Sequence, residues 1–309
     1  MLSIQILTKL MEAKEMRNKA LTLTVVANIT SNYGEGLGNT ASVQKVFKGG
    51  KSYATRSKES LKNAIMVQSG MYDDLQTSVD KATQKKVSAQ LNATNCRALE
   101  SGYMNTSDNT LKRNSSFYLT DAVACNDFVI ETRFHNNLHL ATNYAKNNNL
   151  NLQKEAAKCG LMPYQYEYDK TLKMYSITID LDMIGKDDNF EMPEADAKEK
   201  AYRVKAILSA VENLNLVVKG NLDNAEPLFV VGGLIERKTH YFENVVKIKS
   251  DKLLITKDLK YRIAKSGGVA LLEGGNFQNE DEIKHELNPL PVAAFFDNLR
   301  KDVDTYYGV

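Results

Sequence analysis

Four histidines, His135, His139, His240 and His285, limit the acid–base chemistry open to this chain. His135 and His139 stand four apart in FHNNLH. On one helix face that spacing can share a metal, but no acid lies between them, and the asparagine-rich context favours polar surface contacts. His240 in RKTHYFEN has Lys238 and Tyr241 beside it, a set that can move protons or simply edge a strand. Asp180 and Asp182 alternate along a strand pattern and so share a face, as a cation-binding pair or a solvated acidic edge. The glycines of NYGEGLGN are not followed by a Lys-Ser or Lys-Thr pair, and Asn39 stands where a dinucleotide fingerprint needs its third glycine. The pairs Gly232–Gly233 and Gly267–Gly268 read as turns or bulges that could also let backbone approach a ligand.

The stretch from Lys19 to Gly70 reads either as a phosphate site or as a capped surface helix. It runs as a strand, ALTLTVVAN, then a loop with Gly34, Gly36, Gly38, Gly49 and Gly50, then a basic helix start, RSKESLKNAI. Backbone amides with Ser57, Lys58 and Ser60 can hold phosphate at the helix N-terminus. Arg56, Lys62 and Asn63 extend that surface along a nucleic-acid strand, with contacts that read charge and shape rather than base sequence.

The elements that must position these residues are legible from periodicity. Leu21, Leu23 and Val25 alternate with Thr22 and Thr24, which predicts a central strand with one face on a core. Ser57 caps a helix to about Ser69, whose inner face carries Leu61, Ala64, Ile65 and Gln68. Residues 71–165 are polar and asparagine-rich, and are predicted to form a projecting insertion of hairpins and loops. KMYSITIDLDMIG alternates as a second strand with one apolar and one polar face. Asp196 with Glu199 three residues on resembles a capping box, and Val204, Ile207, Leu208, Val211 and Leu214 make the stripe of the helix it opens. A strand from Leu216 to Lys219, strand character in LFVVGGLIERKTHYFENVVKIK, and a last helix facing inward through Val292, Phe295, Phe296, Leu299, Val303 and Tyr306 complete the order. Strand–helix–strand twice over predicts an α+β fold with a ferredoxin-like, RRM-like sheet. No paired aromatic motif of the RRM type falls on these strands, so base stacking on that sheet is not expected.

Composition sets the remaining bounds. The chain has 309 residues, 43% hydrophobic and 25% charged, enough for a core without disulfides or metals. Net charge is +2, so no global attraction to nucleic acid exists. Charge is segregated instead: residues 1–70 hold ten bases and four acids, residues 235–265 nine bases and four acids, and residues 180–200 three bases and eight acids. That distribution can make a basic and an acidic face, or be ordinary surface charge. Cys96, Cys125 and Cys159 are widely spaced, without a CxxC pair, which fits a reducing, cytoplasmic setting and neither zinc nor a disulfide framework. The N-terminal MLSIQILTKLMEAKEMR lacks a long apolar region and a cleavage site, and no run of about 18 apolar residues could span a membrane.

The stretch LTVVANITSNYGEGLGNTASVQKVFKGGKSYATRSKESLKNAI resembles the DevR family, the backbone subunits of the type I CRISPR surveillance complex Cascade, most closely those of subtype I-B. LTDAVACND, TIDLDMIG, EKAYRVKAILSAVENL and LFVVGGLIERKTHYF support it in the same order, and residues 1–18 stand outside it as an N-terminal extension. The resemblance implies an RRM-like palm from residues 19–70 and 166–309, with thumb and finger-like insertions in 71–165. It implies copies of the chain stacked in a helical filament along one guide RNA, alongside other Cascade subunits. Each thumb displaces a base at a regular interval, and the guide pairs with target DNA. Neither a cofactor nor catalysis is implied. Asn32, Arg56, Ser57, Lys58, Ser60, Lys62 and Asn63 are then the expected palm contacts, and Arg133, His135, Asn136 and Asn137 the expected thumb contacts. The alternative is an endoribonuclease of the same fold acting on repeat RNA through His240 or Asp180 and Asp182. A regulator is not supported, because neither a helix-turn-helix nor a basic arm stands out.

Overall fold

The computed structural model describes residues 20–32, 40–106 and 110–309. The predicted N-terminal extension and the loop glycines Gly34, Gly36 and Gly38 lie outside the described residues.

An eight-stranded sheet forms the centre. Its strands in chain order are β1 (Ala20–Thr30), β2 (Lys45–Lys48), β3 (Lys51–Arg56), β4 (Phe117–Leu119), β5 (Ala122–Ala124), β6 (Lys170–Asp180), β7 (Pro227–Ile235) and β8 (Gly268–Leu271). The spatial order is β8-β7-β1-β6-β5-β3-β2, with β4 also paired to β6. Six α-helices occur among the described residues: α1 (Lys58–Gln68), α2 (Leu138–Asn147), α3 (Ala197–Glu212), α4 (Lys257–Ser266), α5 (Glu280–Leu287) and α6 (Val292–Tyr307). None is long and apolar enough to cross a membrane. The protein is α+β.

β1 lies between β6 and β7, antiparallel to both. Its inward set Leu21, Leu23, Val25, Ala27 and Ile29 packs on Leu61 and Ile65 of α1, Val204 and Leu208 of α3, and Phe296 and Leu299 of α6. The opposite face is buried too, which the alternation with threonine did not predict. Thr22 and Thr24 meet hydroxyls across the ladder, Thr22 with Thr178 at 2.9 Å and Thr24 with Ser176 at 2.7 Å, so each polar group is paired in the core. Farther along that face Val26, Phe229, Val231 and Val269 join a second core closed by Phe242, Leu259 and Ile283. Gly232 is not a turn: it is a strand residue whose added Cβ would stand 2.0 Å from the Thr22 carbonyl oxygen.

The helices start where their caps place them. Ser57 Oγ accepts from the Ser60 amide at 3.3 Å, and Asp196 accepts from the Glu199 amide at 2.9 Å. The expected stripes on α3 and α6 are buried. Gln68, expected inward on α1, is exposed and bonds the Asn215 backbone. The expected strand at Leu216 is one arm of a hairpin pairing Asn215–Val218 with Asn221–Asn224. Periodicity did not resolve α4 and α5, which are short and strongly charged.

Residues 71–165 are not wholly a projection. β4 and β5 come from this segment and pair with β6 inside the central sheet. The connection β1, α1, β4–β5, β6, α3, β7 is thus a βαββαβ unit whose second strand arrives late in the chain. The physical reason is burial: Phe117, Leu119 and Ala122 need the apolar face that α1 leaves beside β6.

Part of the acidic stretch is neutralised within the fold. In the acidic stretch, Asp180 and Asp182 face Lys238 at 2.9 and 3.5 Å, Glu194 pairs with Lys200 at 2.5 Å, and Glu199 accepts from both Arg97 and Arg203 at 2.8 Å. At the centre of this network Glu100 is fully buried. Arg203 of α3 reaches one of its oxygens at 2.8 Å, and Arg113 of the insertion reaches the other at 3.0 Å. The Gly185 amide also donates to it, at 2.6 Å, as does the Ser116 hydroxyl. Removing such a carboxylate strands two buried guanidinium groups. Glu100→Ala is therefore expected to cost about 3–5 kcal/mol of unfolding free energy, measured by urea denaturation; a loss under about 1 kcal/mol would contradict this role.

Candidate nucleic-acid interface

Helix α1 begins at a knot of short hydrogen bonds. Asn32 Oδ1 accepts from the Ser57 amide at 3.0 Å, and Asp121 Oδ1 accepts from the Lys58 amide at 2.8 Å. With Ser57 bonded to the Ser60 amide, most of the first-turn donors are satisfied from within the chain. Asn32, Ser57 and Ser60 thus build this helix start. Arg56 is buried: one guanidinium N–H reaches the Thr30 carbonyl at 3.3 Å, and its Nε has no hydrogen-bond acceptor. Burial lowers its pKa and nearby Asp223 opposes that shift. The Lys62 ammonium donates to the Ser101 carbonyl at 2.9 Å and to Ser115 Oγ at 2.7 Å, and stands 4.9 Å from the centre of the Phe117 ring. Of the expected palm contacts, Lys58 and Asn63 are the two that α1 leaves exposed.

Before α1, β2 and β3 form a hairpin turned by Gly49 and Gly50, at φ +58° and +78°. Both angles lie in the left-handed region that two-residue hairpin turns require. Phe47 is 77% exposed near the tip, and Lys45, Lys48 and Lys51 surround it in sequence. Lys45 pairs with Glu167 at 2.5 Å, which joins the hairpin to a second, three-stranded sheet of residues 132–135, 164–167 and 40–41.

That small sheet carries an aromatic face. Its register sets His135 opposite Tyr164 and Arg133 opposite Tyr166. The His135 ring stacks with Tyr164 at 5.5 Å and with Tyr166 at 4.7 Å, at interplanar angles of 19° and 25°. The Arg133 guanidinium lies 3.4 Å from the Tyr168 ring centre, and Lys219 stands 5.0 Å from that of Tyr166. Asn136 accepts from the Leu138 amide at 3.2 Å and opens α2, while Asn137 holds the Gly160 carbonyl and the Met162 amide, each at 2.8 Å. Arg133, His135 and Asn136 are exposed, as are the apolar neighbours Phe134, Leu140, Tyr144 and Met162. Tyr164, Tyr166 and Tyr168 lie off the central strands and are not among the residues expected from the sequence. The signal was the alternation YQYEY at 164–168. His135 and His139 do not share a helix: the first is on a strand, and the second is on α2, bonded to Asn143 at 3.1 Å.

The candidate acid–base residues are held elsewhere. Thr178 Oγ1 meets His240 Nδ1 at 2.9 Å, and burial pushes the His240 pKa down, with Glu243 opposing. The Tyr306 hydroxyl donates to Asp182 at 2.9 Å, while Lys238 spans both aspartates. Among the described residues, no three His, Cys, Asp or Glu side chains converge in a group that could hold a metal.

Lys62 shares its anchor with a second lysine. Lys85 donates to the Ala98 and Gly102 carbonyls at 2.8 and 2.9 Å, and also to Ser101 Oγ. Burial is the leading cause that lowers each pKa from 10.5 to about 8. The folded chain releases these protons at lower pH than the unfolded chain does. Between about pH 8 and 10 the unfolded state binds more protons, so stability rises with pH in that window. A Lys62→Met, Lys85→Met variant should lose this rise, seen as a wild-type-minus-variant difference in urea midpoint that grows across the window; a flat difference would contradict it.

Residues 68–255 match the model of a family described as the CRISPR-associated negative auto-regulator DevR/Csa2. No curated protein sequence matches the chain. Two similar solved structures share the fold. One, from a CRISPR RNA-guided surveillance complex, is 14% identical with a TM-score of 0.54, covering 94% of this chain and 98% of the other. The second, from such a complex before nicking, is 13% identical with a TM-score of 0.55, covering 92% and 99%.

Proposed function

From the premise that this chain belongs to the DevR/Csa2 family, we propose that it is a backbone subunit of a type I, I-B-like CRISPR RNA-guided surveillance complex. It binds the guide RNA, stacks with other copies of itself and with other subunits, and presents the guide for pairing with target DNA in the cytoplasm. The observation that carries the reading is the joined surface of the lysine hairpin and the aromatic sheet, linked through Lys45 and Glu167. Cations beside exposed rings suit a single strand: phosphates meet Lys48, Lys58 and Arg133, and bases meet His135 and Tyr164. Asn32, Arg56, Ser57, Ser60, Lys62 and Asn137 serve by fixing the elements that carry these contacts, while Asn63 and Asn136 add polar contacts at the surface. The subunit acts by holding RNA, without catalysis. A nuclease would need Asp180, Asp182 or His240 released from Lys238, Tyr306 and Thr178.

Lys58→Ala, Asn63→Ala and Arg133→Ala combined should weaken binding of a single-stranded guide about tenfold or more at moderate salt, measured by fluorescence anisotropy, with the thermal melt unchanged. Unchanged affinity would count against this surface. Incubation of the protein with repeat RNA and magnesium should leave the RNA intact; cleavage that disappears in His240→Ala would establish the nuclease instead.

A further inference from the structure

The two glycine pairs of the sequence meet at one edge of the central sheet, where Gly232 of β7 stands opposite Gly268 of β8. The strand order puts this edge at the far end of the sheet from the β2–β3 hairpin. β8 begins at Gly268, whereas β7 runs on through Gly233 and Leu234 to Ile235. Past Gly232, no strand among the described residues pairs with β7 on the side away from β1. The other side of β8 is already covered: the Leu290 amide donates to the Val269 carbonyl at 2.9 Å, and the Leu290 carbonyl accepts from the Leu271 amide at 3.0 Å. Backbone groups alternate along an antiparallel strand, so Gly268 and Ala270 face β7, and their partners Gly232 and Val230 face β8. Leu234, two residues farther on and half-buried, turns its N–H and carbonyl the same way, toward a place that β8 does not reach.

A slot of about 350 Å³ lies along this open edge, between it and α6. Leu234, Leu290, Phe295 and Leu299 line it together with the glycines, and Asn298 and Asp302 are its polar side chains. A Cβ on Gly268 would stand 2.9 Å from the Phe295 ring, so bare backbone forms that wall. The neighbouring α6 acids Asp297 and Asp304 pair with Arg300 and Lys205, at 2.8 and 2.6 Å; among the described residues Asp302 has no such partner, and burial alone raises its carboxyl pKa.

We propose that this edge docks an extended segment of a partner protein, added as a strand beside Leu234, with an apolar side chain in the slot and a lysine or arginine two residues away on Asp302. The site uses none of the residues assigned to RNA. Main-chain bonds to an open strand edge give such a segment its affinity, and pockets for alternate side chains give it specificity. The spacing agrees with this occupant. Asp302 lies about 7.5 Å of helix rise beyond the midpoint of Phe295 and Leu299, and alternate side chains of an extended chain are about 7 Å apart. The charge agrees as well: a carboxylate partly withdrawn from water and without a basic partner favours a cation and disfavours an acid. Asn298, beside Asp302 on the same face of α6, adds an amide that can bond the segment's backbone.

The test uses the full chain and a fluorescent peptide, TVTKTV, whose valines and lysine share one face when extended. Anisotropy should show saturable binding. Asp302→Asn should weaken it about tenfold with the thermal melt unchanged, and N-methylation of the peptide's central amides, which removes ladder donors and keeps every side chain, should weaken it at least as much. Asp302→Lys should lose TVTKTV and gain the charge-reversed TVTETV, a rescue that a purely structural aspartate would not give. Absence of saturable binding to the wild-type chain overturns the proposal, as does an affinity that ignores Asp302→Asn or N-methylation. Binding that appears only once residues 1–18 are removed assigns the edge to the chain's own N-terminal segment, and self-association of the free protein that Asp302→Lys abolishes assigns it to a second copy; either overturns the partner. RNA binding should be the same in the Asp302 variants as in the wild type, and its loss there would overturn the separation of this edge from the RNA surface.

Discussion

Glu100 is the carboxylate on which the arrangement depends. It is buried in a segment of the insertion, and its two oxygens are shared between Arg113 of that insertion and Arg203 of α3. Taking one negative and two positive groups out of water is costly, and the interaction persists because almost every donor finds a second acceptor. Arg113 also reaches the Met183 and Lys186 carbonyls, each at 2.8 Å, and Arg203 reaches the Ala93 carbonyl at 2.6 Å and Glu199 at 2.8 Å. The consequence is geometric. The segment that carries Glu100 also receives Lys62 from α1 and Lys85 from the insertion, so α1, α3 and residues 85–116 hold one relative position. A basic helix can present Lys58 and Asn63 in a fixed place only because its inward lysine is spent on that anchor.

In the role proposed above, this division of labour lets a chain with net charge +2 hold a polyanion. Several of its cations are structural. Arg56, Lys62, Arg113, Lys173 and Arg203 are buried or half-buried, and Asp180, Asp182, Glu194 and Glu199 of the acidic stretch are paired within the fold. The lysines of the hairpin and Lys58 at the start of α1 are exposed, and rings stacked on a short sheet lie beyond the hairpin. In that proposed role, binding is weak per subunit and sums along a strand when copies share one RNA.

Local pattern carried much of the fold. β1, β6, the Ser57 and Asp196 caps, and the inward faces of α3 and α6 followed from periods of two and 3.6 residues, because each of those segments buries a stripe. The rest depended on contacts far apart in sequence. FYLTDAVA reads locally as a hairpin in a polar insertion, and only the vacant edge of β6 makes it a sheet strand. The asparagines around His139 argue against a helix, yet Ala141 and Ala145 bury against Cys159 and hold α2 in place. At the site, the sequence could not separate working cations from anchoring ones. Lys58 and Lys62 are four apart with the same charge, and only the Ser101 carbonyl and Ser115 distinguish them. Tyr164, Tyr166 and Tyr168 were visible as an alternation, but their stacking on His135 needed the register of a sheet whose strands are about 30 residues apart.

We propose that this chain is a repeating unit along a guide RNA. Light scattering coupled to size exclusion, on the protein assembled with guides of increasing length, measures this directly. The account predicts that the number of protein copies per RNA rises in steps as the guide lengthens. A single copy at every length, or no stable complex with RNA at all, would contradict it.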